Sequence, residues 1–434
     1  MQKKTLSMLS AFNYACMWNA ILYSVHKLIS IVLLFFLYLK LSPQLFSSYC
    51  SIVSYIFLLL LWGDFGFRKS IACFLPEYEK HSISIKKLFS KLIKIKLIIL
   101  FFSLPLFIFV SHKTAFNIRT QSASITMLSI AALFISEGII LFFQLIYQVS
   151  FLHKQFNTIF IFSLCFHTLV SFIASFYLKS NTLIFFIFIS KSIINSITIF
   201  FSYNLFFILD SQLQKLTLIS GKKELQASAA SLTELPIQFA KHSFFMWIGI
   251  LVKSSTERNV LFPFFTFIFG TDIANAFKIT HETSLFFYRT LFKAIEISDT
   301  SLLSYANILS DKSFFYHLKK KITFFCTISF SLFFIFFIYK SIFFKTSFTL
   351  LCLFFTMTTS NIIEVYLSLY ERLLEVRRQY TTLLKGYSFY IASILLLLLF
   401  LHSYQLTLYL MVIFIQIIRI LTALIFRYYA KKLR

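Results

Sequence analysis

The chain has 434 residues, of which 59% are hydrophobic and only 13% charged, and its formal net charge is +25. So little charge excludes a water-soluble domain of this size, which would carry nearly twice as much. Sixty-one phenylalanines against 7 glycines and 5 prolines exclude a turn-rich β fold and favour long uninterrupted helices.

Taken in order, the apolar blocks fall at about 18–39, 45–66, 97–111, 124–148, 157–178, 182–208, 239–252, 260–286, 322–339, 346–369, 386–402 and 405–426. Most are about 20 residues long, which is what an α-helix needs to cross the hydrocarbon core. The sequence therefore predicts an all-α polytopic membrane protein with about 12 transmembrane helices. The first block follows Lys3 and Lys4 and runs on to Leu39 without a small-residue cleavage site, so it reads as a retained span. The third block is short, and Lys94 and Lys96 are expected to snorkel to extend it. The seventh is also short and is expected to begin nearer Leu235.

The basic residues fix the direction. With the N-terminus inside, Lys and Arg in the cytoplasmic connections outnumber those outside by roughly three and a half to one. Both termini are accordingly expected in the cytoplasm, with the chain in the cell (inner) membrane. In a soluble protein 41 Lys and Arg against 16 Asp and Glu would suggest nucleic acid. Here they orient spans, and no nucleic-acid partner is expected. Long connections occur only inside, at 67–96, 209–238 and 287–321. The first and last of these sit between the second and third span of each half. The spacing predicts two pseudo-repeated six-helix bundles around a central cavity, 1–208 and 239–434, joined by a cytoplasmic linker at 209–238.

Chemistry inside a bilayer begins with ionisable side chains, because each is costly there. Lys27, Glu137, Lys191 and Arg419 lie deep in apolar sequence. Three of the four are cations, and a cavity lined by Lys27, Lys191 and Arg419 would attract an anionic substrate. Glu137 is either a salt-bridge partner of one of them or a proton-linked switch. Asp64, Asp272, Lys278, His281 and Glu282 sit near span ends, while His167 and Glu364 read as helix–helix hydrogen bonders. The six cysteines are scattered without a CxxC pair, so neither a metal site nor a disulfide framework is expected. No phosphate loop, HExxH or GxSxG is present, so no cofactor is expected and the chain does not read as an enzyme.

The stretch Gly63–Glu79, GDFGFRKSIACFLPEYE, closes the second block and opens the first long inner loop. It resembles the corresponding region of bacterial polysaccharide flippases, the O-antigen and lipid-linked oligosaccharide branch of the multidrug/oligosaccharidyl-lipid/polysaccharide exporter superfamily. Phe269, Gly270, Ala274 and Phe277–Lys278 are similar to that family's pattern in span eight. Glu371–Arg372 falls where the family places a charged cytoplasmic turn.

The resemblance implies a flippase that moves a polyprenyl-diphosphate-linked oligosaccharide from the inner to the outer leaflet by alternating access. Its partners would be that lipid-linked substrate, membrane lipids and other polysaccharide-assembly membrane proteins. Lys27, Lys191 and Arg419 would then bind diphosphate or acidic sugars, and Arg68 and Lys69 would attract the headgroup at the cytoplasmic entrance. A second reading keeps the fold and makes the chain a cation-coupled exporter of amphiphilic drugs, with Asp64 and Glu137 as coupling carboxylates. A third, a membrane-embedded glycan polymerase or glycosyltransferase, lacks both a large external loop and clustered carboxylates.

Overall fold

In the computed structural model the chain is helical throughout, and no strand occurs among the described residues. The structure describes residues 2–80, 85–116, 123–150, 152–208, 234–254, 258–308, 312–343, 348–404 and 407–432. The helices are α1 (Gln2–Lys40), α2 (Pro43–Trp62), α3 (Phe67–Lys80), α4 (Ile85–Phe116), α5 (Ala123–Val149), α6 (His153–Tyr177) and α7 (Ser180–Ile208). They continue with α8 (Glu234–Ser254), α9 (Arg258–Phe269), α10 (Thr271–Ile308), α11 (Lys312–Phe343), α12 (Phe348–Val376), α13 (Tyr380–Tyr404) and α14 (Leu408–Lys432). Of the linker expected at 209–238, residues 209–233 lie outside the described residues.

Among the described residues, 10 helices are long and apolar enough to cross a membrane, and the protein is a polytopic α-helical membrane protein. They cover ten of the expected blocks. The other two blocks fall on α8, whose 21 residues include Glu234, Lys241 and Lys253, and on α9 with the start of α10. The expected single span at 260–286 is broken. Gly270 sits between α9 and α10 at φ +85, a left-handed conformation that a residue with a Cβ adopts only with strain. The third span is longer than its apolar block, because α4 runs for 32 residues. Lys96, expected to snorkel, is instead buried beside Asp64, with 3.6 Å between Nζ and Oδ1.

Contacts divide the chain into two compact units, each assembled from separated pieces. The first comprises Met1–Lys27, Leu251–Thr256 and Ala276–Arg434, and the second Leu28–Ile250 and Glu257–Asn275. Within the second unit α5 packs on α4, α6 and α7, and α2 packs on α4 and α9. Its core is aromatic. Phe89 meets Phe206 at 4.7 Å between ring centroids, and Phe107 stacks on Phe134 at 4.5 Å. Apolar burial gives helices no net drive to associate in lipid, so these aromatic contacts supply much of the packing, at about 0.5–1.5 kcal/mol per pair.

Within the first unit α12 is central, packed on α11, α13 and α14. Phe333 of α11 meets Phe354 at 5.5 Å, and Phe337 meets Phe355 at 5.0 Å. The segment joining α2 to α3 belongs to the second unit and explains the composition of the Gly63–Glu79 motif. Phe65 and Gly66 take positive φ values of 46 and 72, turning the chain in four residues. A Cβ on Gly66 would collide with the carbonyl oxygen of Ser243 on α8. Phe65 then stacks on Trp247 at 5.0 Å.

Candidate functional site

Among the described residues, six cations have a carboxylate close by within the same unit. In the first unit Lys27 is buried and pairs with Glu282, which Lys278 also approaches at 3.4 Å. Arg419 pairs with Glu364, and Lys253 pairs with Glu371. In the second unit Lys191 lies 3.9 Å from Glu137, and Lys96 lies near Asp64. A lone charge in hydrocarbon costs about 2.5–3.5 kcal/mol on insertion scales, and pairing is how these helices carry charge through the membrane.

The cations expected to line one cavity each lie beside a carboxylate. Lys27 and Arg419 belong to the first unit, each against its own carboxylate, and Lys191 belongs to the second. Glu137 is fixed from a second side by Asn195 of α7, which donates to Oε1 at 3.0 Å and to Ser136 at 3.2 Å. Lys191 also lies over the ring of Phe160, 5.7 Å from its centroid. Asp64 accepts the backbone N–H of Arg68 at 2.9 Å, so it caps the first turn of α3 while facing Lys96. Arg68 and Lys69 are half-buried in that same first turn. His167 of α6 lies 3.3 Å from the carbonyl of Ile187 and 3.4 Å from Ser171.

A polar constellation lies in the first unit, between α12, α13 and α14 with the end of α8. A cavity of about 20 Å³, room for a single water, is lined by Lys253, Glu364, Ser368, Glu371, Arg419 and Thr422, with Tyr390, Ala423 and Phe426. The α12 contribution follows from helical spacing. Ser360, Glu364, Ser368, Glu371 and Glu375 recur at intervals of three or four and so share one face. The α14 contribution, Gln416, Arg419, Thr422 and Phe426, recurs in the same way. The two faces meet as rungs one turn apart: Ser360 donates to Gln416 at 3.1 Å, and Arg419 Nη2 lies 3.0 Å from both carboxylate oxygens of Glu364.

A third rung draws in α13. Tyr387 donates its hydroxyl to Glu371 at 2.9 Å, on the opposite oxygen from the one that meets Lys253. Arg372 donates to Ser368 at 2.8 Å. Glu371, Arg372 and Glu375 are all buried.

This region corrects the sequence reading. Glu371–Arg372 was expected to form a charged cytoplasmic turn after a block ending near 369. The helix instead continues to Val376, and the turn comes at Arg378, with φ 56. Lys253 and Tyr387 neutralise and hold Glu371, so the polar residues continue the helix rather than end it. Lys253, Glu371, Arg372, Glu375 and Tyr387 were absent from the expected site. The regular spacing from Glu364 to Glu375 was the signal that would have found the carboxylates.

Chemically, the cavity is balanced. Two cations, Lys253 and Arg419, face two carboxylates, Glu364 and Glu371. An incoming anion must compete with a carboxylate for a cation, and an incoming cation must compete with a cation for a carboxylate. Either exchange would replace an internal ion pair with one to the incoming ion.

The sequence matches no protein-family profile and no curated protein. Solved structures do match in fold. An outward-facing multidrug resistance MATE family transporter of the MOP superfamily is 12% identical over 97% of this chain and 94% of that one, with a TM-score of 0.64. A MATE transporter in the straight conformation gives 11% identity, 97% and 95% coverage and a TM-score of 0.66. The eukaryotic MATE transporter AtDTX14 gives 12% identity, 99% and 98% coverage and a TM-score of 0.57. Over nearly its whole length, this chain has the fold of the MATE transporters of the MOP superfamily.

Proposed function

We propose that this chain is a transporter that moves a polyprenyl-diphosphate-linked oligosaccharide from the cytoplasmic to the outer leaflet, for surface polysaccharide biosynthesis. It works by alternating access between its six-span halves, 1–208 and 239–434, joined at 209–238. It resides in the cell (inner) membrane with both termini cytoplasmic, as the distribution of Lys and Arg supports. The observation that carries the reading is a MATE-like fold combined with a charged interior in which Lys253 and Arg419 face a common cavity. A diphosphate and its sugars cannot cross hydrocarbon unaided. A guanidinium matches phosphate oxygens geometrically. The Gly63–Glu79 motif supports the polysaccharide branch. Its Arg68 and Lys69 stand at the first turn of α3, where they would attract a headgroup, and membrane lipids and other polysaccharide-assembly membrane proteins are the partners this role implies.

A second reading, a cation-coupled multidrug exporter, is favoured by the carboxylates Glu364 and Glu371 in the same cavity and by the multidrug transporters among the structural neighbours. Under that reading Asp64 and Glu137 are further coupling candidates.

The test is a deletion strain assayed for surface glycan and for lipid-linked glycan on the inner leaflet, complemented by wild type and by Arg419→Gln. The proposal expects loss of surface glycan with accumulation of its lipid-linked unit, restored by wild type only. Unchanged surface glycan in a strain without a second flippase, together with new sensitivity to amphiphilic cations, would transfer the function to the multidrug reading.

A further inference from the structure

The seam between α13 and α14, in the first unit, ends in a fixed arrangement of cations. Lys385 of α13 lies over the ring of Tyr429 of α14, 5.8 Å from its centroid. Lys432, at the end of α14, lies over the ring of Tyr428 at 4.9 Å. The two rings are themselves in edge contact at 5.5 Å. Two ammonium groups from two helices are thus tied to one pair of tyrosines. The packing beneath sets this register: Phe426 meets Tyr387 at 5.5 Å and lies against the backbone at Gly386, where a Cβ would collide with its ring.

A ring face holds an ammonium without cancelling its charge. Neither Asp nor Glu occurs in the sequence after Glu375. Lys385, Lys431 and Lys432 are exposed and meet no carboxylate among the described residues. A charge that only orients a span needs to be in the right connection and nothing more. Here the cations are placed, and what lies below them is apolar. From Lys385 the exposed face of α13 continues through Phe389, Leu396 and Leu399. From Lys432 the exposed face of α14 runs back through Tyr428, Leu424 and Leu421. Both runs keep the three- and four-residue spacing of a single helix face.

The seam therefore presents ammonium groups at its end, tyrosines at the level where headgroups meet hydrocarbon, and apolar side chains at depth. A phospholipid has the same order: phosphate, glycerol, acyl chains. A zwitterionic headgroup brings an ammonium of its own, which these lysines repel, so a lipid with net negative charge fits best.

We infer that the end of the α13–α14 seam binds an anionic phospholipid of the surrounding bilayer. Its phosphate is held by Lys385 and Lys432 with Lys431 beside them, and its acyl chains lie along Leu424 and Leu396.

The site can be read with an indole placed in it. Full-length protein carrying Tyr428→Trp is reconstituted in phosphatidylcholine vesicles with rising fractions of dibrominated phosphatidylglycerol, or of dibrominated phosphatidylcholine. Bromine quenches an indole that it touches, and the signal is taken relative to the chain with only its own Trp18, Trp62 and Trp247. Phosphatidylglycerol is expected to quench at the lower fraction, each ammonium contributing about fivefold to the preference. Lys385→Gln and Lys432→Gln should each lower the preference by about that factor. The double variant should bring the two lipids close to parity, and Lys385→Arg should retain the preference. Lys320→Gln, at an exposed cation of α11, should leave it unchanged. Should Tyr428→Trp not fold, Leu424→Trp, one turn deeper on the same face, reports in its place.

Equal quenching by the two lipids before any lysine is replaced overturns the site. So does an equal loss of preference on Lys320→Gln, which would reduce the seam to part of a diffuse positive surface. Loss of preference on adding inorganic phosphate, but not sodium chloride of equal ionic strength, would overturn it by assigning the cations to a soluble anion. Vesicles alike in both leaflets make the result independent of orientation and of cargo, so failure here leaves the proposed function standing.

Discussion

Trp247 of α8 donates its indole N–H to the carbonyl oxygen of Trp62, the last residue of α2, at 2.7 Å. The carbonyls of a helix's last turn have no partner within the helix, and here a residue far along the chain supplies one. Because α8 also carries Ser243, against which Gly66 packs, and Phe239, which meets Phe67, the Phe65–Phe67 part of the turn is shaped by α8.

Removing that bond should be measurable. Trp247→Phe keeps the ring and loses the donor, and is expected to lower stability by about 1 kcal/mol. Gly66→Ala adds a Cβ that meets the Ser243 carbonyl and also forces a positive φ, so its cost should exceed that of Trp247→Phe by at least about 1–2 kcal/mol. Thermal unfolding of detergent-purified variants, followed by size-exclusion chromatography, ranks the two. Gly66→Ala at wild-type stability would refute the close approach.

Asp64 has two jobs that different substitutions separate. Asp64→Asn retains a side-chain oxygen to cap Arg68 N–H but loses the charge facing Lys96. Asp64→Ala loses both. Asp64→Ala should therefore be less stable than Asp64→Asn by about 1 kcal/mol, the usual value of a helix N-cap. Equal unfolding temperatures for the two would rule out the capping role.

The Lys253–Glu371 pair should show strong coupling. Glu371→Leu takes from the half-buried Lys253 its carboxylate and from Tyr387 its acceptor, at an expected cost of about 1–3 kcal/mol. Lys253→Met/Glu371→Leu should recover most of that loss, since replacing both members of a buried pair is often nearly neutral. A double-mutant cycle that instead shows additive losses would place the two charges in separate environments.

The fold was legible because each span announces itself as a run of apolar residues of the right length, and α2, α5, α6 and α7 follow their blocks closely. The break at Gly270 was not, since the flanking sequence stays apolar on both sides and a lone glycine gives no sign of its φ. The partners of the buried charges were hidden for a different reason. Lys27 is separated from Glu282, and Arg419 from Glu364, by long stretches of chain, and the rotation of a helix about its axis is set by neighbours rather than by span length. Only where partners share a helix face, as Glu364, Ser368 and Glu371 do, does spacing in the sequence show them together.

The discontinuous makeup of the two units bears on how the protein is made. Met1–Lys27 leaves the ribosome long before Leu251–Thr256 and Ala276–Arg434, yet it packs in the unit that also needs them. The other unit is likewise unfinished until Glu257–Asn275 has been synthesised. Neither bundle can close during translation of the first half, so early spans must wait in the bilayer with buried charges such as Lys27 still lacking Glu282. Long-range pairing of this kind is slow and leaves intermediates exposed. Expression yield should therefore depend on the insertion machinery holding those early helices, and severing the chain near residue 220 should produce two fragments that are each unstable alone and mature only when synthesised together.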